Sequence, residues 1–243
     1  VHRRIGAGLA ILFLISASLN AISKAAFGMP RPFMVDPAVV QLAAAAGNGF
    51  PSGHTQGALV VWTYLAFRSK NAWLWWLAGA LVLVIPLSRL YLGVHFPLDL
   101  AGGYVIGGLL VFSFIITENP TAEMIDRCSA GIVIAAQFAA TAAALFSVKD
   151  QGPYVVSTVA ALTGTSWGLF MERRWIEIQI RVSPIKRSVR YLAGIAGLLT
   201  IYIGLKMGWR ELEPPWLFRT IRYGLVGLWI AAGAPLLFQR FIK

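Results

Sequence analysis

Six ionisable side chains, Lys24, Arg31, His54, Arg89, His95 and Asp99, fall in three short polar stretches of an otherwise apolar chain. The first stretch sets Lys24 and Arg31 seven residues apart, the second cation pinned between Pro30 and Pro32, whose φ is fixed. Such a pair can hold a multiply charged anion in a restricted geometry. Taken alone, it also reads as two interfacial anchors reaching for headgroups. The second stretch is Pro51-Ser52-Gly53-His54, at the start of an apolar helix. Ser52 suits an N-cap, Gly53 lets an oxygen-rich ligand approach the backbone, and a helix start presents free N–H groups with a positive dipole end. That turn suits phosphate, and His54 stands where a proton can be delivered to it. A capped helix followed by a structural histidine is the plainer reading. The third stretch places Arg89, His95 and Asp99 between two apolar windows. Asp99 follows His95 by four residues, near enough through a turn to accept from one imidazole nitrogen and leave the other free as base or nucleophile. An interfacial Arg beside a capping Asp accounts for the same residues without chemistry.

The three stretches are more specific jointly than singly, since two of the three histidines in the chain lie in them. The elements that must position them are membrane helices. Of 243 residues, 58% are hydrophobic and 13% charged, against about 25% charged in an ordinary globular chain. The mean hydropathy is +0.69. A chain of this size cannot internalise so much apolar surface, so lipid must cover it. The net charge of +11 then belongs first to the membrane interface rather than to nucleic acid. The single cysteine, Cys128, excludes an intrachain disulfide and a Cys-based zinc site.

Eight charge-poor windows predict eight transmembrane helices, at 5–23, 52–67, 71–88, 100–117, 128–148, 151–171, 191–205 and 223–239. The chain therefore reads as an all-α, polytopic membrane helix bundle. With loops on alternating sides, the 21 cations divide 13 to 8, and the basic connector at 172–190 dominates the larger group. That face is predicted to be cytoplasmic, with both termini inside. The smaller group, Lys24, Arg31, Arg89, Lys149, Lys206, Arg210, Arg219 and Arg222, then faces outward, and all three polar stretches open on its side. Trp73, Trp75 and Trp76 read as an interfacial belt, and Gly103 and Gly107 as a helix-packing signal.

Lys24-x6-Arg31-Pro32, Pro51-Ser52-Gly53-His54 and Ser88-Arg89-x5-His95-x3-Asp99 together resemble the three-part signature of the type-2 phosphatidic acid phosphatase family. The likeness covers 24–99 directly and, by helix pattern, roughly 5–117. It implies that His95 is the nucleophile that becomes a phosphohistidine and that Asp99 orients it. His54 would be the general acid for the leaving group and later the base for water. Lys24, Arg31, Arg89, Ser52 and the Gly53 backbone would hold the phosphate oxygens. The implied activity is hydrolysis of a phosphomonoester or diphosphate on a phosphatidic acid-like, isoprenyl or sphingoid lipid. No cofactor is expected, and no metal, because no carboxylate cluster near the three stretches suggests Mg²⁺ ligands. The expected partners are the lipid phosphate and membrane lipids, with no nucleic acid; a homo-oligomer stays open. The expected location is a bacterial inner (plasma) membrane, with the site at the outer interface facing the periplasm or exterior.

Residues 1–117 read as a phosphatase core and 118–243 as additional C-terminal transmembrane helices. Membrane members of that family usually carry two helices before the first motif, whereas one window precedes Lys24 here. Either a segment precedes this chain or other helices complete the bundle. The added helices are similar to extensions in the sphingosine-phosphate and glucose-phosphate phosphatase branches, and could form a lipid-access wall, a dimer face or a second function. Three rival readings remain: a phosphotransferase using the same site, a lipid binder or transporter whose cations merely grip headgroups, and a vanadium haloperoxidase. Haloperoxidases resemble the same signature but are soluble.

Overall fold

The computed structural model describes residues 2–148, 152–177, 182–209 and 214–242. Among them every regular element is a helix, and the chain divides into two compact units, Val1–Ser129 and Ala130–Lys243. Of the residues used to assign faces and windows, Lys149, Gln151, Arg181, Arg210 and Lys243 lie outside the described residues.

The first unit contains α1 (His2–Phe27), the single turn α2 (Pro32–Val35), α3 (Gly53–Ser69), α4 (Ala72–Tyr91) and α5 (Pro97–Arg127). Local chemistry punctuates them. Ser52 caps α3 by accepting the Thr55 N–H at 3.4 Å, and Asn71 caps α4 by accepting the Trp73 N–H at 3.0 Å. Pro97 opens α5 at a position where a missing N–H costs nothing. Gly28, at φ 62°, ends α1 in the left-handed region and turns the chain toward Arg31.

α3 is the central helix, with α1, α4 and α5 packed on it. Gly103 and Gly107 make one of these contacts close. A Cβ on Gly103 would lie 2.8 Å from the Ser52 carbonyl oxygen, and one on Gly107 would lie 3.2 Å from that of Gln56. The two glycines therefore bring α5 backbone to backbone with the start of α3. The second and third polar stretches meet as a result. A core of Leu12, Val60, Tyr64 and Val111 joins α1, α3 and α5.

Among the described residues, six helices are long and apolar enough to cross a membrane, and they lie within Arg3–Val35, Ala72–Tyr91, Pro97–Arg127, Pro153–Trp175, Pro184–Gly208 and Pro215–Phe241. Eight spans were expected. Every window corresponds to a helix, but two are not among these six. α3 has 17 residues, a rise of about 26 Å against a hydrocarbon core of about 30 Å. With helices on several sides, it meets protein where other helices meet lipid, so it can bury Thr55, Gln56 and Tyr64. The other is α6 (Ala130–Val148), 19 residues long, whose side chains are described only over the apolar stretch Ala130–Phe146. Trp73, Trp75 and Trp76 are all exposed on the first turn of α4.

The second unit contains α6, α7 (Pro153–Trp175), α8 (Pro184–Gly208) and α9 (Pro215–Leu228). α9 runs through a π-turn at Trp229–Gly233 into α10 (Ala234–Phe241). Small residues let α7 and α9 touch: a Cβ on Gly164 would strike the Gly224 backbone, and one on Gly227 would lie 2.5 Å from the Ala161 carbonyl oxygen. The Trp229 indole N–H donates to the Gly194 carbonyl at 2.9 Å, tying this pair to α8.

Candidate active site

His95 is buried in the bend between α4 and α5, outside the membrane-spanning segments. Its Nδ1 lies 3.0 Å from Asp99 Oδ2, and the same oxygen accepts the Phe96 N–H at 2.9 Å. Its Nε2 lies 3.3 Å from Arg31 Nη1. A guanidinium can only donate, so Nε2 is an acceptor and the ring proton sits on Nδ1, donating to Asp99. Both contacts require the same tautomer. Burial lowers the His95 pKa from its ordinary 6.5; the Asp99 hydrogen bond opposes this, and the charges of Arg31 and Lys24 reinforce it. The ring is thus held neutral with its Nε2 lone pair turned toward a cation.

Arg31 is only 6% exposed, and a buried guanidinium needs acceptors for its N–H groups. Nε donates to Gly47 at 2.9 Å, Nη2 to Ala46 at 3.0 Å and Nη1 to Val94 at 2.9 Å, all at carbonyl oxygens. Lys24 Nζ donates to the carbonyls of Asn48 and Gly49, each at 2.7 Å, and the Asn48 amide donates back to the Lys24 carbonyl at 2.7 Å. Residues 46–49 therefore wrap both cations. Carbonyl dipoles solvate the two charges without neutralising them, which leaves the pocket disposed to an anion. Gly49 packs closely here: a Cβ would lie 3.0 Å from both Asp99 Oδ2 and the Pro30 carbonyl oxygen, so these neighbours would have to give by a few tenths of an ångström.

Ser52 is fully buried, and its backbone N–H donates to the Asp99 carbonyl at 2.9 Å. Its Oγ accepts from the Thr55 N–H and, at 3.0 Å, from Thr55 Oγ1, so its own O–H remains a donor. Gly53 follows, with space for a Cβ taken by Asn20 Oδ1 at 2.9 Å. His54 is exposed on the first turn of α3, within electrostatic reach of Arg89, Arg31 and Lys24. Arg89, half-buried at the end of α4, donates through Nε and Nη2 to Ser88 Oγ at 3.1 and 3.0 Å. Lys24, Arg31, Ser52, Gly53, His95 and Asp99 thus form one packed cluster, and His54 and Arg89 lie in its field.

Sequence reasoning missed the polar floor of this cluster. Asn20 Nδ2 donates to the Pro51 carbonyl at 3.2 Å and to Gln56 Oε1 at 2.9 Å. Gln56 Nε2 in turn donates to the Ser16 carbonyl and hydroxyl at 2.9 and 3.0 Å. Ser16 and Asn20 stand four residues apart, one helical turn, in an apolar helix, and that spacing was the available signal. Among the described residues, no three side chains of His, Cys, Asp or Glu gather as metal ligands.

An apolar helical unit gathers an imidazole, its carboxylate partner and two carbonyl-wrapped cations at the helix ends of a membrane protein. The chain belongs to the PAP2 superfamily: the PAP2 superfamily model matches residues 5–121, and the model for the transmembrane extension of PAP2 superfamily phosphatases matches 156–243. It is similar to an undecaprenyl-diphosphatase of Sulfolobus acidocaldarius, 32% identical over 120 residues, 48% of this chain and 57% of that protein. An undecaprenyl-diphosphatase of Bacillus subtilis is 30% identical over 130 residues, 52% of this chain and 62% of the relative. A phosphatidylglycerophosphatase B of the same bacterium is 39% identical over 72 residues, 26% of this chain and 36% of the relative. The matches to the first two relatives thus span somewhat more than half of their length. No solved structure matches the chain.

Proposed function

We propose that this protein is a metal-independent lipid phosphate phosphatase that works through a phosphohistidine on His95, with an isoprenyl diphosphate as its preferred substrate class. The observation that carries the reading is the line Asp99 Oδ2, His95 Nδ1, His95 Nε2, Arg31 Nη1, with contacts of 3.0 and 3.3 Å at its ends. It supplies an oriented neutral nucleophile beside a cation, which is what attack on a phosphorus centre needs. His95 Nε2 bonds to phosphorus as the bond to the bridging oxygen breaks. His54 gives its proton to the departing lipid-borne oxygen. Water then attacks the phosphohistidine, His54 takes a proton from it, and the N–P bond breaks to release inorganic phosphate. Lys24, Arg31, Arg89, the Ser52 hydroxyl and the Gly53 N–H hold the oxygens throughout. Phosphoryl transfer depends chiefly on positioning and charge stabilisation, and fixed cations and amides supply both.

The substrate class rests on the relatives' names, two of which are undecaprenyl-diphosphatases. The chemistry fits, because an interfacial cluster can take a headgroup while a prenyl tail remains in lipid. The predominance of cations on the connector at 172–190 supports a cytoplasmic location for that segment, with the cluster opening outward. The test is release of inorganic phosphate by purified protein from undecaprenyl diphosphate, phosphatidylglycerophosphate and phosphatidic acid, with EDTA and with orthovanadate. Turnover should be fastest on the prenyl diphosphate, survive EDTA and stop with vanadate. Activity lost in EDTA, or indifference to vanadate, overturns the mechanism; a glycerolipid preference overturns the substrate class alone.

A further inference from the structure

We infer that the second unit carries its own anion-binding cavity, between the end of α8 and the start of α9, which takes the phosphate of an anionic lipid headgroup. The cavity has a volume of about 340 Å³ and is lined by Lys206, Arg219 and Arg222 together with aromatic rings. No Asp or Glu lines it among the described residues. The connector 210–213 lies outside those residues, and it contains Arg210, Glu211 and Glu213. Counting it in full, the segment 206–222 has four cations against two carboxylates, so two positive charges remain however they pair.

Cations at helix ends ordinarily reach for water, and the geometry of Arg222 differs from that. Its guanidinium carbon stands 5.3 Å from the Tyr202 ring centre and 5.1 Å from that of Tyr223, held over aromatic faces contributed by α8 and α9. Its Nε is buried with no hydrogen-bond partner among the described residues. A fixed guanidinium with an unsatisfied N–H is a preorganised donor for an oxyanion. Arg219 lies three residues before Arg222, on the same side of α9, and Lys206 comes from the last turn of α8. Trp209 and Phe218, with ring centres 5.2 Å apart, supply apolar wall on which the upper part of a lipid can rest. Three cations around one opening repel each other, and a shared anion relieves that repulsion.

This inference is independent of the phosphatase reading, and the experiment keeps the two apart. The full chain, in a His95→Asn background so that nothing is hydrolysed, is titrated in detergent with dioctanoyl phosphatidylglycerol, a phosphodiester, and with dioctanoyl phosphatidylcholine. The anionic lipid should bind at least tenfold more tightly. Lys206→Gln/Arg219→Gln should weaken it at least tenfold. Arg222→Lys, which keeps the charge and loses the fork, should weaken it at least threefold and serves if the double variant does not fold. Competition by millimolar inorganic phosphate assigns the cavity to free phosphate as well, and its absence assigns it to the lipid headgroup alone. Equal affinity for the two lipids, or wild-type affinity in the folded cavity variants, overturns the inference.

Discussion

The two units solve the same problem, helix packing in lipid, with similar means, and differ in how their buried polar groups are joined. Both use glycines to bring backbones together, Gly103 and Gly107 in the first unit and Gly164 and Gly227 in the second. The first uses that closeness to stack a hydrogen-bonded core of Asn20, Gln56, Ser52, Asp99, His95 and Arg31. Each such group is expensive in an apolar surrounding unless it is bonded or used. The second unit also buries a cation, Arg190, whose guanidinium donates to the Ile242 carbonyl, and it sets Lys206, Arg219 and Arg222 around a cavity.

The sharpest way to break this comparison is at His95. His95→Asn should lower turnover on the order of 10⁴-fold or more and abolish covalent labelling from a ³²P-substrate. Labelling that persists would remove the nucleophile assignment. Next comes His54→Ala, expected to cost about 10² to 10⁴-fold in kcat with little change in substrate binding. A phosphate ester with an acidic leaving alcohol, which needs no proton on departure, should recover much of that loss. If it recovers none, His54 is not the acid.

A smaller effect concerns pH. The His95 pKa is depressed, so the neutral nucleophile persists as pH falls below the ordinary imidazole range. The acid limb of kcat/KM assigned to His95 should therefore lie below about pH 6.5. Arg31 disfavours the imidazolium, so Arg31→Gln should move that limb upward as well as weaken substrate binding. The pH profile of residual activity reads the shift, and a limb that moves down contradicts the electrostatic account.

The smallest effects compare the glycines. Gly103→Ala sets a Cβ against the Ser52 carbonyl and should cost about 1 to 3 kcal/mol, together with activity, since Ser52 and Asp99 must shift. Gly164→Ala sets one against the Gly224 backbone and should lower the thermal midpoint while kcat of the folded fraction stays near wild type. Equal loss of kcat in the two variants would mean that the units are not separable in function.

The helices were largely legible in the sequence, because charge-free runs report what lipid demands of a backbone. Of the eight expected spans, six reach spanning length and composition among the described residues, while α3 is packed by protein on several sides and composition cannot tell a protein-facing surface from a lipid-facing one. In the candidate site, the four-residue spacing of His95 and Asp99 announced their pairing, and Ser52 announced the cap of α3. The role of 46–49 could not be read, because backbone carbonyls carry no signature in the side-chain sequence. Asn20 and Gln56 were hidden for a related reason, as amides within apolar runs whose partners lie 31 to 40 residues away.

The backbone bond from Ser52 N–H to the Asp99 carbonyl has a mechanical meaning. It fastens the helix start that bears His54 to the helix start beside His95, so that main-chain atoms hold the proposed acid and the proposed nucleophile in register. Lys24 and Arg31 are attached to the remainder by side-chain bonds to 46–49, which exchange without breaking a helix. In the proposed mechanism, a headgroup would enter by rearranging that carbonyl collar while the main-chain link stays in place.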